Sequence, residues 1–447
     1  MAARVAVVQV ALNTSTGPQT IALPSGFGTV KGYLAFASND TNNTSTPTNE
    51  SAWSCGGTDG TDQSLACVLS EHAVPTTNTF RNMETTEVIQ LLEPFNSTTA
   101  TEVIEVDIGT TPFDTDDEFT INVGRNDNSA AVLVNFMVFG GDDDMKCKIG
   151  TGNQTADNGV AQTFSGVGFQ IDQIFFWTTT GGTGTPGATA GISFGFCSLD
   201  SGVIHQGCHA DVSQDNAGTS TLVGIHRDDR VLSSLSTAGS ISREVECVKM
   251  DVSGEFDLTK RAASVNMEFH YLAVSYSGAV NFEVANFDTP TATGNDVQTW
   301  PGFTPQAVLL IPSFMTAVNA VQQSDFGGVG AMGVCAFDGT EQWAVGFSDE
   351  DNEPETDTQS LADDIAVQFS SDDGSQAFEA TFVSFDAGDG YTLNFTAADS
   401  TIRKWTGLAI EEDTGAPPTG RIMSSLVGAG GLAGMGGIAG QGGGLAA

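Results

Sequence analysis

Four short stretches of this 447-residue chain carry residue types that could do chemistry. Gly191-Ile192-Ser193-Phe194-Gly195 has the G-x-S-x-G spacing of a hydrolase nucleophile elbow. That chemistry needs the serine on a sharp strand-to-helix turn, with an acid and a histidine following. Here the pentapeptide lies inside a strand-like apolar run, so an ordinary strand residue is the expectation for Ser193. His205-Gln206-Gly207-Cys208-His209 sets three soft-metal ligand types close together. A closed zinc site needs four ligands with matched spacing, and no partner cluster follows, so a loop or strand end is expected. Asp142-Asp143-Asp144 and Asp349-Glu350-Asp351 could bind Ca²⁺, but neither has the EF-hand spacing. Solvated acidic loops are the expectation there, with no cofactor assigned and cation binding left open.

Seven cysteines are present, so at least one is unpaired within the chain. Cys55 and Cys67 in the first third align with Cys197 and Cys208 in the second, and with Cys335 and Phe347 in the third. Replacement of a cysteine by a large apolar residue points to core positions, where a free thiol packs as a small hydrophobe. Disulfides in these pairs are left open, since modules of this size need no staple. Asn-x-Ser/Thr acceptors at Asn13, Asn39, Asn42, Asn43, Asn49, Asn96, Asn153 and Asn394 fit either glycosylation or a Ser/Thr/Asn-rich composition.

The elements that must position these residues form a repeat. Gly26-Phe27, Gly168-Phe169 and Gly302-Phe303 lie 142 and 134 positions apart. Each precedes an apolar run: Gly32 to Phe36, Ile174 to Trp177, and Val308 to Ile311. Turns around Asp59-Gly60, Asp200-Ser201-Gly202 and Asp338-Gly339 recur in the same order, each followed by a glutamine (Gln63, Gln206, Gln342). So do Phe119-Thr120-Ile121-Asn122, Phe256-Asp257-Leu258-Thr259 and Tyr391-Thr392-Leu393-Asn394, each ahead of a closing strand (Val132 to Phe139, Val265 to Val274, Ile402 to Ile410). Within a copy, Thr120 to Val123 and Thr381 to Phe385 alternate apolar and polar with the period of two of a half-buried strand. The continuous apolar runs predict strands buried on both faces. Turn signals every 8 to 12 residues or so fit an antiparallel sandwich. Only Ser360 to Ile365 could make a helical turn. The expectation is an all-β chain of three tandem antiparallel β-sandwich modules, jelly-roll or Greek-key-like, over residues 1–146, 147–281 and 282–413. Ala6 to Leu12 is then the first strand, not a signal sequence.

Residues 414–447 differ in kind. Thr414 to Gly420 is a Pro/Gly linker, and Ile422 to Ala447 holds no charge. Gly428, Gly431, Gly434, Gly437, Gly440 and Gly443 recur every third position, with Leu432, Met435 and Ile438 in a second column. A period of three fits an extended threefold helix rather than an α-helix. This Gly-rich tail is therefore expected to be an assembly element, bundling with copies of itself or docking into a neighbour. So glycine-rich a stretch gains little apolar energy in lipid, so membrane insertion is not expected.

Composition excludes several partners. With 55 Asp and Glu against 15 Lys and Arg, the net charge is −40. Such a surface repels nucleic acid and anionic lipid. It suits high salt, where screening relieves self-repulsion and charge maintains solubility.

The repeated unit, carried by Gly168-Phe169 before Ile174-Phe175-Phe176-Trp177 and by Gly390-Tyr391-Thr392-Leu393-Asn394-Phe395 before a closing strand, resembles structural proteins of tailed viruses. The resemblance spans the three modules but not the tail. It implies a non-enzymatic virion component (tail fibre, tail-tip or capsid-surface protein), with no catalytic residue to carry over. With the acidic composition, the expected setting is a virus of a halophilic archaeon or marine bacterium, the protein being assembled in the host cytoplasm. The expected partners are further copies, as a trimer or other homo-oligomer, and other virion proteins. The alternative is an adhesin that reads a host glycan or receptor through loops at the sandwich ends.

Overall fold

The computed structural model describes residues 4–411, apart from 42–45, 97–98, 114, 128, 142–143, 182–185, 201, 252, 263–265, 277–279, 324–328, 351–353, 355, 371–374 and 389. The tail glycines 428 to 443, with Leu432, Met435 and Ile438, lie outside the described residues, as do Asp142, Asp143 and Asp351.

The described residues form 33 strands and no helix. The first third contains β1 (Arg4–Ala11), β2 (Gly17–Ala22), β3 (Val30–Ser38), β4 (Thr48–Asn49), β5 (Ser51–Thr58), β6 (Gln63–Ser70), β7 (Thr79–Glu84), β8 (Ile89–Asn96), β9 (Thr99–Ile108), β10 (Glu118–Asn126) and β11 (Leu133–Gly140). Strands β1, β11, β3, β5, β6 and β7 make one antiparallel sheet; β2, β10, β9 and β8 make a smaller one. The same pattern recurs twice, beginning at Lys146–Gln154 and at Phe282–Asp288. Residues Thr358–Asp363 are a fully buried strand at the β7 position of the third repeat, not a helical turn. Their cross-strand pairing with Ala344 to Asp349 decided the conformation, which local composition left open.

Each repeat is a sandwich whose larger sheet is buried twice. Tyr33 and Ala35 of β3 face the sandwich interior, and Leu34 and Phe36 face a core shared by all three repeats. The strand Gln173–Thr179 does the same, with Ile174 and Phe176 in its own sandwich and Phe175 and Trp177 in the shared core. In Pro305–Ile311 the two sets are Val308/Leu310 and Leu309/Ile311. Two buried faces explain the continuous apolar runs, because neither parity of the strand meets water. The smaller sheets have one wet face and keep alternation, as in β10, where Phe119, Ile121 and Val123 are buried.

The three repeats do not follow one another as beads. Phe36 packs edge-on against Phe194 at 5.3 Å and tilted on Trp343 at 5.5 Å, so one ring from each repeat meets at the centre. The repeats also exchange edge strands in a cycle. Strand β4 of the first repeat pairs with Thr358–Asp363 of the third. Residues Gly187–Ala188 of the second repeat pair with β7 of the first, and Val321–Gln323 of the third pair with Leu222–Arg227 of the second. Each larger sheet thus gains a seventh strand from a neighbour. The exchange covers an edge that would otherwise offer unpaired N–H and C=O groups. It also closes, so the body has a pseudo-threefold axis within one chain. The chain leaves two of the donated strands through left-handed residues, Glu50 (φ 78°) and Thr189 (φ 70°). A β-branched residue at positive φ is strained, and here the surroundings hold it. Thr189 N donates to the Thr79 carbonyl, and its own carbonyl accepts from Arg81 Nη1.

Candidate functional site

The structure separates most of the residues that suggested chemistry. Ser193 lies inside the strand Ala190–Asp200, not at a strand-to-helix turn. Its hydroxyl donates to the His209 carbonyl at 3.1 Å and accepts from Ser233 N at 3.2 Å, so it ties neighbouring segments together. The neighbouring ligand run is extended within Val203–Ser213. Alternation sends Cys208 to the opposite face from His205 and His209. The Cys208 thiol approaches Ser233 in the outer sandwich, and burial pushes its pKa up to about 12. These three residues therefore do not converge on a metal.

All seven cysteines are free. Cys55 faces the shared core while Cys67 faces the outer one, so the sheet itself stands between them. The structure also corrects the sequence alignment of the cysteines. Cys197 and Cys335 face their outer cores, whereas Cys55 faces inward: the hairpin registers set Cys55 level with Phe194 and Val334, three residues before Cys197 and one before Cys335. A slip by an odd number of residues exchanges the faces of a strand, which is why residue type alone misplaced them. Phe347, in the shared core, corresponds to Val68 rather than to Cys67.

Hairpin ends form three joints between repeats. At the β5–β6 turn, Asp59 Oδ2 accepts from Ile149 N at 3.2 Å and from Lys148 Nζ at 3.2 Å, both on the first strand of the second repeat. Asp338 Oδ2 likewise accepts from Val7 N at 2.9 Å, on the first strand of the first repeat. The middle hairpin, Ala190–Asp200 with Val203–Ser213, is longer and meets the strand Phe282–Asp288 differently. There Asp200, His205 and Glu283 place one ligand atom each within 4.8 Å of one another. His205 Nδ1 stands 3.7 Å from Glu283 Oε1. Burial raises the Glu283 pKa, His205 opposes that rise, and Asp200 adds to it. A half-buried trio of this kind can bind a cation, yet it occupies the place of two purely structural joints.

A buried polar grouping lies between the second and third repeats. His209 and Asp211 are buried and share a 2.9 Å hydrogen bond through Nε2 and Oδ2. His226, whose ring lies 5.7 Å from that of His209, bonds through Nε2 to Thr406 Oγ1 at 2.8 Å and Asn286 Oδ1 at 3.1 Å. Burial, with His209 alongside, lowers the His226 pKa to about 3. An unfolded histidine titrates near 6.5, so the unfolded chain takes up the proton first. The stability from neutral His226 is therefore complete above about pH 6.5 and lost progressively as pH falls toward about 3. His226→Gln is expected to remove about 2–3 kcal/mol of the fall in unfolding free energy between pH 7 and 4.5, read by urea denaturation at each pH. Equal acid sensitivity in variant and parent would show that His226 is not the titrating group.

Asp349 corrects the expectation of a solvated acidic loop. It lies within the strand Gln342–Glu350, is 1% exposed, and faces the axis at the end of the shared core. Burial pushes its pKa up to about 6. The hydroxyls of Ser213 and Ser70 and the Glu350 N–H ease its ionisation, and the charge of Asp211 opposes it. Ser70, Asp211 and Ser213 were not singled out by type and spacing. Their one legible signal is a difference between copies: Val68-Leu69-Ser70, Asp211-Val212-Ser213 and Phe347-Ser348-Asp349 put acids where sister strands carry apolar residues or serine. No protein-family model matches the chain, and no curated protein or solved structure matches it.

Proposed function

We propose that the chain is a structural component of a viral particle, acting as a rigid block at the surface of a capsid or tail. The observation that supports this reading is the cyclic exchange of edge strands around a core shared by three repeats. A single chain of this kind offers the same shape three times around one axis, which suits a threefold position in a shell or fibre. The resemblance of the repeated unit to tailed-virus structural proteins points the same way. In this reading the glycine-periodic tail joins blocks together, and the acidic surface maintains solubility at high salt.

Light scattering at high salt, on the full chain and on a chain truncated after Asp413, tests the proposal. The truncated chain is expected to be a folded monomer and the full chain an oligomer. If both are monomers, the tail does not join copies. Binding of the monomer to host cells or their glycans would then favour an adhesin.

A further inference from the structure

The joint between the second and third repeats is built unlike the other two. The first and third hairpins close where Thr58 pairs with Gln63 and Phe337 with Gln342. The second continues past the equivalent pair, Cys197 with Gln206, through Ser198 with His205, Leu199 with Ile204 and Asp200 with Val203. Asp200 and His205 therefore belong to an extension that the sister repeats lack. Glu283, which meets them, reverses the charge of its counterpart. Ile149 and Val284 pair with Leu272 and Leu408, which pair in turn with Phe175 and Leu309. Glu283 thus stands where the second repeat has Lys148. There the Lys148 ammonium lies between two carboxylates, 3.2 Å from Asp59 Oδ2 and 2.5 Å from Asp62 Oδ2. At the next joint that ammonium is gone, and Glu283 instead adds a carboxylate beside Asp200 and His205.

We propose that this joint binds a single zinc ion through Asp200, His205 and Glu283, the ion standing in for the lysine ammonium of the preceding joint. Zinc bonds of about 2.1 Å at tetrahedral angles set ligand atoms about 3.4 Å apart. His205 Nδ1 lies 3.7 Å from Glu283 Oε1, and one atom of each residue lies within 4.8 Å of the others. An imidazole with two carboxylates suits zinc, whereas calcium and magnesium take sets of oxygen alone. Three protein ligands leave the fourth position of zinc to water, and the trio is only half-buried, so water can reach it. Two carboxylates balance the divalent charge.

Ser198 is an independent sign of a ligand here. Directly opposed residues of paired strands share a face, with Cβ atoms about 4.5–5.5 Å apart. Ser198 opposes His205, is 0% exposed, and its hydroxyl has no hydrogen-bond partner among the described residues. A buried hydroxyl without a partner is costly. Water on a zinc ion at this face supplies one, as groups around a metal's own ligands commonly do. The ion then ties the extended hairpin of the second repeat to the first strand of the third.

Isothermal titration of the full chain with zinc chloride tests this, after chelator treatment and in concentrated KCl to screen the acidic surface. One zinc per chain is expected to bind and to raise the melting temperature, and equal calcium or magnesium should not displace it. His205→Gln and Glu283→Lys should each weaken binding by roughly tenfold or more, at least the cost of losing an outer partner of a metal site. Both should retain the β circular-dichroism spectrum. Glu283→Lys copies Lys148, so its melting temperature should no longer respond to zinc. Asp157→Asn, at an exposed position, should bind as the parent does. The proposal is overturned if no zinc binds near one per chain, or if both joint variants fold and bind like the parent, which would place the metal elsewhere. Displacement by equal calcium would likewise overturn it. A misfolded Glu283→Lys leaves His205→Gln to decide. None of these outcomes depends on the virion reading, which the tail truncation tests separately.

Discussion

Trp343→Ala is expected to lower the unfolding free energy by about 3–5 kcal/mol, the range for emptying a large aromatic site in a packed core. Trp343 belongs to the third repeat but is fully buried in the shared core. Its ring rests on Phe36 of the first repeat at 5.5 Å, and its Nε1–H donates to the Phe136 carbonyl at 3.1 Å. The truncation therefore opens a cavity between repeats and removes a hydrogen bond that crosses them. Stiff strands exchanged at their edges cannot collapse easily into that space, which places the cost toward the upper end. Because the core is common property, the parent chain should unfold in one cooperative transition, with coincident far- and near-ultraviolet signals. The variant should retain that single transition at a lower urea midpoint. Separate unfolding of the third repeat would show that the shared core does not couple the three.

The second large effect concerns a buried ion pair. Asp399→Ala is expected to cost about 3–5 kcal/mol, because it removes the carboxylate that the buried Arg403 guanidinium bonds. Arg403 is 1% exposed, and its Nε donates to Asp399 Oδ2 at 2.6 Å. Its Nη1 donates to the Phe314 carbonyl at 2.6 Å, and the guanidinium carbon lies 5.7 Å from the centre of the Phe314 ring. Replacing both partners removes the charge as well as the attraction, and apolar replacements often match a buried pair. Asp399→Ala/Arg403→Met should therefore be more stable than Asp399→Ala alone. Urea denaturation at constant salt measures both. A double variant weaker than the single one would mean that the arginine contributes chiefly through the Phe314 carbonyl and ring.

Much of the architecture was legible in the chain. The Gly-Phe landmarks and the runs Ile174 to Trp177 and Val308 to Ile311 show repetition, β structure and strands without a wet face. These follow from local chemistry, since the period of two and the spacing of turns are set within a few residues. The doubly buried runs even imply a second layer, though not what supplies it.

Other features had no local signature. Thr48–Asn49, Gly187–Ala188 and Val321–Gln323 are two or three residues of unrelated type, and each is a strand only because another repeat presents an open edge. The facing of Cys55 against Cys197 depended on register, which residue type does not encode when both faces are apolar. Asp349 read as part of a solvated acidic run until the strand carried it to the axis, where Asp211 and two serines from other repeats meet it. The sequence by itself determined what each repeat is made of, because side-chain alternation and turn chemistry act over short range. Only the tertiary structure decided that the repeats close on one another, because edge pairing, shared burial and convergence on an axis join residues more than a hundred positions apart.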